Sequence, residues 1–351
     1  MTDPFPQPIS RVETGVEGLD TILGGGFLKA NMYVLMGPPG AGKTVLANQM
    51  CFNHARRGEK AVYVTALTES HGMMLQHLQG FAFFDASLVS DALVYYSGYS
   101  VLDESGLTGL LERVHEILRR EKPQILVFDG MATVETFAAT PLDFKRFVHE
   151  LQQIATSYGC TTFLLTHAPA DMDGPPAEYT MVDGIVELFA STVGVRGVRE
   201  LQAHKVRGTR HLAGRHFFDI TDEGLVVYPR TEALYNRPQV DDFDPAERKT
   251  LGVEALDAML GGGVPAWSTT VVLGNSGSGK TLLGLNFLAA GGVRGEAGLY
   301  FGFGEPPAEL VAKADETGLA FSTHVARGTL KVLWQPPLEV IPDAVAARIL
   351  Q

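Results

Sequence analysis

Along the first part of the chain, short apolar runs bounded by charged or glycine-rich turns alternate with longer stretches whose apolar positions recur every three or four residues. The runs at 32–36, 61–65, 93–96, 125–128 and 161–166 have the length and composition of buried strands. Between the later runs, Leu107, Leu110, Leu111, Val114, Ile117 and Leu118 fall on one helical stripe, and Phe144, Phe147, Val148, Leu151, Ile154 and Ala155 fall on another. Strands that alternate with amphipathic helices predict a mostly parallel α/β sheet covered on both faces, because each parallel connection needs a crossover and the helices supply it. After Asp183 the helical period stops, and the runs at 184–189, 198–206, 216–220 and 225–228 predict antiparallel strands closing the domain.

Two segments between a strand-like run and a helical pattern carry chemistry. Gly37-Pro38-Pro39-Gly40-Ala41-Gly42-Lys43-Thr44, followed by Val45, has the spacing of a phosphate-binding P-loop. Gly274-Asn275-Ser276-Gly277-Ser278-Gly279-Lys280-Thr281, followed by Leu282, writes it again after an apolar run at 270–273 that predicts a second strand. The glycines let backbone N–H groups turn inward around phosphates, and the helix N-terminus adds its positive end. The lysine reaches the outer phosphates, and Thr44 or Thr281 offers a hydroxyl to Mg²⁺. Two such loops in matching contexts predict a tandem nucleotide-binding protein with ATP and Mg²⁺ as cofactors.

The repeat is wider than the loops. Residues 14–26 and 251–263 share the pattern Gly-Val-Glu, Leu-Asp and Gly-Gly-Gly at one constant offset, the offset that also relates Lys43 to Lys280. Residues 1–235 therefore form a first module and 249–351 the front of a second, with 236–248, rich in Pro and Asp, as linker. Asp129 lies further beyond Lys43 than Gln351 lies beyond Lys280, so the second module stops before a matching acid. The expectation is a stretch of a longer two-domain protein, with a degenerate second module as the alternative.

Composition narrows the class. The 351 residues are 45% hydrophobic and 19% charged, ordinary for a globular chain, and no apolar run is long enough to span a bilayer. With no leader-like N-terminus either, the expected location is cytoplasmic. The two cysteines, Cys51 and Cys160, are expected as buried free thiols. A net charge of −12 opposes a surface built to bind nucleic acid.

The strand at 125–128 ends in Asp129, at the carboxyl edge where open α/β sheets bind ligands, and Asp129 is the candidate second ligand for Mg²⁺. Glu69, just past the strand at 61–65, is the candidate for holding a water in line with the terminal phosphate, and Glu305 is its counterpart in the second module. Thr166 and His167 are weaker candidates as phosphate sensors. Lys205 and Arg207 open a basic cluster running to His211, which is either a set of cations for phosphate charge across a subunit boundary or a basic hairpin in water.

These pieces together resemble the KaiC-like branch of the RecA-type ATPases: residues 15–26, the P-loop at 37–44, the acid-bearing loop after the second strand, Asp129, the segment 205–209 and the tail 216–229. The resemblance implies a RecA-like fold and nucleotide-dependent rings, often hexamers, with ATP held between neighbouring subunits. It also implies that Lys205 and Arg207 reach the neighbour's phosphates. The water-activating loop of that family carries two adjacent glutamates, whereas Thr68-Glu69 and Gly304-Glu305 offer one acid each, which points to slow hydrolysis. Autokinase activity would require a complete second domain. The expected role is an ATPase whose nucleotide state governs ring assembly or partner binding in signalling or timing. Two alternatives are a recombination ATPase like RecA or RadA and a non-hydrolysing scaffold. The stretches 130–140 and 168–183, where DNA-binding loops would fall, hold no Lys or Arg, and the second carries Asp171, Asp173, Glu178 and Asp183, so DNA contact would be repulsive.

Overall fold

The computed structural model describes residues 10–67, 71–167, 181–235, 244–337 and 340–350. The chain divides into two compact units, 1–234 and 235–351.

The first unit begins with β1 (Arg11–Val12), α1 (Leu19–Ile22) and β2 (Phe27–Leu28), β1 and β2 forming a small antiparallel pair. Then follow β3 (Met32–Met36), α2 (Lys43–Arg56), β4 (Ala61–Thr65), α3 (His71–Leu78), β5 (Leu93–Ser97), α4 (Tyr99–Glu121), β6 (Ile125–Asp129), α5 (Met131–Thr136), α6 (Pro141–Ser157) and β7 (Thr161–Thr166). The chain finishes the unit with β8 (Gly184–Val193), β9 (Arg196–Val206), β10 (Arg215–Thr221), β11 (Gly224–Tyr228) and α7 (Thr231–Leu234). One nine-stranded sheet has the order β11-β10-β9-β8-β3-β7-β6-β4-β5. Its strands from β8 to β5 are parallel, and β9 to β11 continue it antiparallel.

The expected parallel strands and both striped helices are present. One expectation needs amending: β8 runs parallel to β3 along one edge and turns antiparallel only toward β9, so it belongs to both halves of the sheet. Alternation explains the layers. Tyr33 and Leu35 of β3 enter a core under α2 and α3, while Met32, Val34 and Met36 enter a second core under α4, α5 and α6. Cys51 and Cys160 are buried free thiols, one in each core.

The second unit repeats the front of this plan. It contains β12 (Arg248–Lys249), α8 (Glu254–Met259), β13 (Val264–Pro265), α9 (Lys280–Val293), β14 (Gly298–Gly302), α10 (Pro307–Glu316), α11 (Phe321–Ala326), β15 (Leu330–Trp334) and α12 (Pro342–Leu350). Residues 236–243 of the expected linker lie outside the described residues, and its last residue, Arg248, opens β12. Arg248 donates to the carbonyl of Gly263 at 3.0 Å as Arg11 donates to that of Gly26 at 2.9 Å. Gly26 and Gly263 have φ of 98° and 113°, and a side chain on either would strike the carbonyl of Val12 or of Lys249 across the small hairpin. The parallel pairing of β4 with β5, Ala61 opposite Leu93, recurs in β14 and β15 as Gly298 opposite Leu330. A small core of Leu285, Ala289, Leu310, Ala314, Phe321 and Leu330 holds this unit.

The strand expected at 270–273 is not formed. Among the described residues nothing pairs with this segment, and Val271 and Leu273 are 74% and 88% exposed, whereas their counterparts Val34 and Met36 are 0% and 1% exposed. The reason is topological. In the first unit β3 is laddered by β7 and β8, which arrive far later in the chain, and an apolar run becomes a strand only where partners take up its backbone groups.

Candidate functional site

The first P-loop leaves the carboxyl end of β3 and runs into α2, whose N-terminal residue is Lys43. Gly37 approaches β8 so closely that a side chain there would meet the carbonyl of Leu188. The Lys43 ammonium folds back over the loop and donates to the carbonyls of Gly37 and Pro38 at 2.7 and 3.0 Å. The loop, the end of β6 and the end of β7 enclose a cavity of about 320 Å³, lined by Gly40, Gly42, Lys43, Thr44, Val45, Asp129, Thr166 and His167 among others.

Asp129 is the pivot of this cavity. The Thr44 hydroxyl donates to its Oδ2 at 3.4 Å, and the Tyr63 hydroxyl donates to the same oxygen at 2.6 Å. Burial pushes the Asp129 carboxyl above its ordinary range, opposed by the Tyr63 hydroxyl, the Lys43 charge and the Thr44 hydroxyl. Burial likewise lowers the Lys43 pKa, while the nearby Asp129 charge raises it. Oxygen donors from one hydroxyl and one carboxylate, beside a lysine and a helix N-terminus, suit a hard divalent cation accompanied by phosphate. A second layer supports the pair: Asn48 donates to the Thr44 carbonyl at 2.8 Å, and Tyr95 donates to Asn48 Oδ1 at 2.8 Å.

Lys43, Thr44 and Asp129 thus converge, and Thr166 and His167 lie on the cavity wall. Glu69 falls outside the described residues. The strand that leads to it is tied to the site, however, since Thr65 faces Asp129 across the sheet and Ala66 N–H donates to the Asp129 carbonyl at 2.8 Å.

Lys205 and Arg207 are not brought to this cavity. Val206 pairs with Gly184, which pairs with Tyr33 at the amino end of β3, whereas the P-loop leaves the carboxyl end beyond Met36. Three residues of strand, roughly 10 Å, separate those levels along the sheet. There the Lys205 ammonium donates to the Val182 carbonyl at 2.7 Å, and Arg207 pairs with Asp183 at 3.3 Å.

The second loop keeps the lysine geometry. Lys280 donates to the carbonyls of Gly274 and Asn275 at 2.8 and 2.7 Å, and Thr281 and Leu282 continue α9. Glu305, after β14, accepts from Lys313 at 2.8 Å. No acid equivalent to Asp129 stands beside Thr281 among the described residues.

Tyr63, Tyr95 and Asn48 were not anticipated. The available signal was a tyrosine inside the otherwise aliphatic run 61–65: a buried phenol must find an acceptor, and the neighbouring strand ends in one.

The family model described as "ATPase: KaiC" matches residues 12–232 and 249–335. The chain belongs to the KaiC family of ATPases. Among its KaiC relatives, the "Circadian clock oscillator protein KaiC" of Picosynechococcus is 28% identical over 344 residues, covering 94% of this chain and 65% of the relative. That of Rippkaea orientalis is 26% identical over 347 residues, covering 96% and 66%. The "Circadian clock oscillator protein KaiC 1" of Synechocystis is 26% identical over 344 residues, covering 94% and 64%. The chain therefore spans somewhat less than two thirds of the length of the KaiC proteins it matches. No helix among the described residues is long and apolar enough to cross a membrane.

Proposed function

We propose that the first unit binds ATP with Mg²⁺ and hydrolyses it slowly, and that its nucleotide state governs the assembly of copies into a ring used in signalling or timing. The observation that carries this reading is the convergence of Lys43, Thr44 and Asp129 on one cavity at the carboxyl edge of a parallel sheet. Lys43 donates to the Gly37 and Pro38 carbonyls at the mouth of the loop, and its ammonium reaches from there to the outer phosphates of a bound nucleotide. The Thr44 hydroxyl and the Asp129 carboxylate hold Mg²⁺. The bound ion supplies charge neutralisation for the transferred phosphoryl group. Glu69, three residues past the segment pinned to Asp129, orients the attacking water and takes its proton.

Lys205 and Arg207 lie at the opposite edge of the sheet and are too far from their own cavity to touch its phosphates. They serve a neighbouring copy, which makes ring closure a condition for turnover. The second unit cradles phosphate through Lys280 and the loop 274–281, with Thr281 as its metal-facing hydroxyl. Glu305 is held by Lys313 and contributes to hydrolysis only once released from it.

Phosphate release by wild type and Glu69→Gln tests the hydrolytic claim, with a loss of about 100-fold or more expected for the variant. Equal rates at background would leave a non-hydrolysing scaffold as the reading. Mass by light scattering, with and without ATP·Mg²⁺, tests the ring: wild type is expected to assemble on adding nucleotide and Lys43→Ala is not. A mass indifferent to nucleotide in wild type contradicts assembly.

A further inference from the structure

Behind the cavity, two tyrosines on adjacent strands brace both candidate metal ligands from the core side. Tyr63 on β4 and Tyr95 on β5 face each other in the sheet register, with ring centroids 5.5 Å apart. Tyr95 reaches the Thr44 backbone through Asn48, while Tyr63, fully buried, donates directly to Asp129 Oδ2. The same Oδ2 accepts from the Thr44 hydroxyl, so one carboxylate oxygen ties the strand end and the helix start together. A buried phenol needs some acceptor. This one donates to the Asp129 carboxylate at 2.6 Å, the length of a charge-assisted bond. The second unit keeps a tyrosine, Tyr300, at the corresponding register of β14.

We propose that Tyr63 is a positioning residue for the divalent cation of the first unit, fixing the Asp129 carboxylate in the orientation in which it and the Thr44 hydroxyl receive the ion together. The proposal rests on the reading of Thr44 and Asp129 as the metal pair. Outer partners of a ligating carboxylate set its orientation, and their loss commonly weakens metal binding without removing a ligand.

The test uses Mn²⁺ as probe, titrated into the full chain with saturating ADP and followed by the electron paramagnetic resonance of the free ion. ADP affinity is measured separately in EDTA on the same preparations. Tyr63→Phe is expected to weaken Mn²⁺ binding about 10-fold. Its ADP affinity in EDTA should equal that of wild type, which also reports that the P-loop is folded. Wild-type Mn²⁺ affinity in Tyr63→Phe overturns the proposal, as does an equal loss of ADP affinity in EDTA, which assigns the tyrosine to packing alone. Asp129→Asn separates the two claims. If it weakens Mn²⁺ binding and Tyr63→Phe does not, the metal pair stands and only the positioning role falls. If Asp129→Asn leaves Mn²⁺ binding unchanged, the metal reading fails and takes the proposal with it.

Discussion

The two P-loops have the same local geometry and different surroundings. Lys43 and Lys280 each fold back onto the first two carbonyls of their loops, and the glycine-rich hairpins before them use the same arginine contact. Yet β3 is paired along both edges and buried on both faces, while residues 270–273 are unpaired and exposed among the described residues. The contrast separates what a P-loop inherits from its own residues from what it borrows. Cradle and lysine are local; the acid, the bracing tyrosine contact and the strand itself depend on elements such as β6, β7 and β8 that join from elsewhere in the chain.

The comparison sharpens first at the cations assigned to a neighbour. Arg207→Ala is expected to lower phosphate release about 1,000-fold, in the range for a charge that stabilises a phosphoryl transfer from another subunit. Mixing it with Lys43→Ala should restore part of the activity, because one copy supplies an intact loop and the other an intact arginine. A mixture no more active than its parts would place Arg207 outside the chemistry of any neighbour.

The next contrast is one of stability. Met36→Ala removes a buried side chain from β3 and is expected to cost about 2–5 kcal/mol. It is read by far-ultraviolet circular dichroism during denaturant unfolding. Smaller, and alike in both units, is the expected cost of Gly26→Ala and Gly263→Ala: about 1–2 kcal/mol each from the left-handed backbone, before any clash is counted. Unequal costs would show that the two hairpins are not the same structure. Leu273→Ala closes the series, with a change within about 0.5 kcal/mol because the side chain already lies in water. Both tryptophans, Trp267 and Trp334, belong to the second unit, so their fluorescence follows that unit alone.

Much of this was legible because it is local. The apolar runs from 32–36 to 161–166, the stripes now seen in α4 and α6, and both P-loops are patterns within a few turns of chain. Asp129 was legible too, as an acid closing an aliphatic strand. Residues 270–273 carry the same kind of pattern and form no strand, because the ladder that holds β3 comes from residues beyond 160 and no described residue ladders 270–273. The edge occupied by Lys205 and Arg207 was equally hidden. It depends on β9 turning back against β8, which carries the cations from the cavity side to the opposite one. Tyr63 escaped notice since its meaning appears only when β4 is laid beside β6.

The most direct test of the account is phosphate release by wild type, Lys43→Ala and Lys280→Ala, assayed with ATP·Mg²⁺ under identical conditions. A first loop joined by Asp129, and a second with no such acid among the described residues, require Lys43→Ala to fall by about 100-fold or more, with Lys280→Ala keeping most of the wild-type rate. Lys280→Ala falling as far as Lys43→Ala would contradict it.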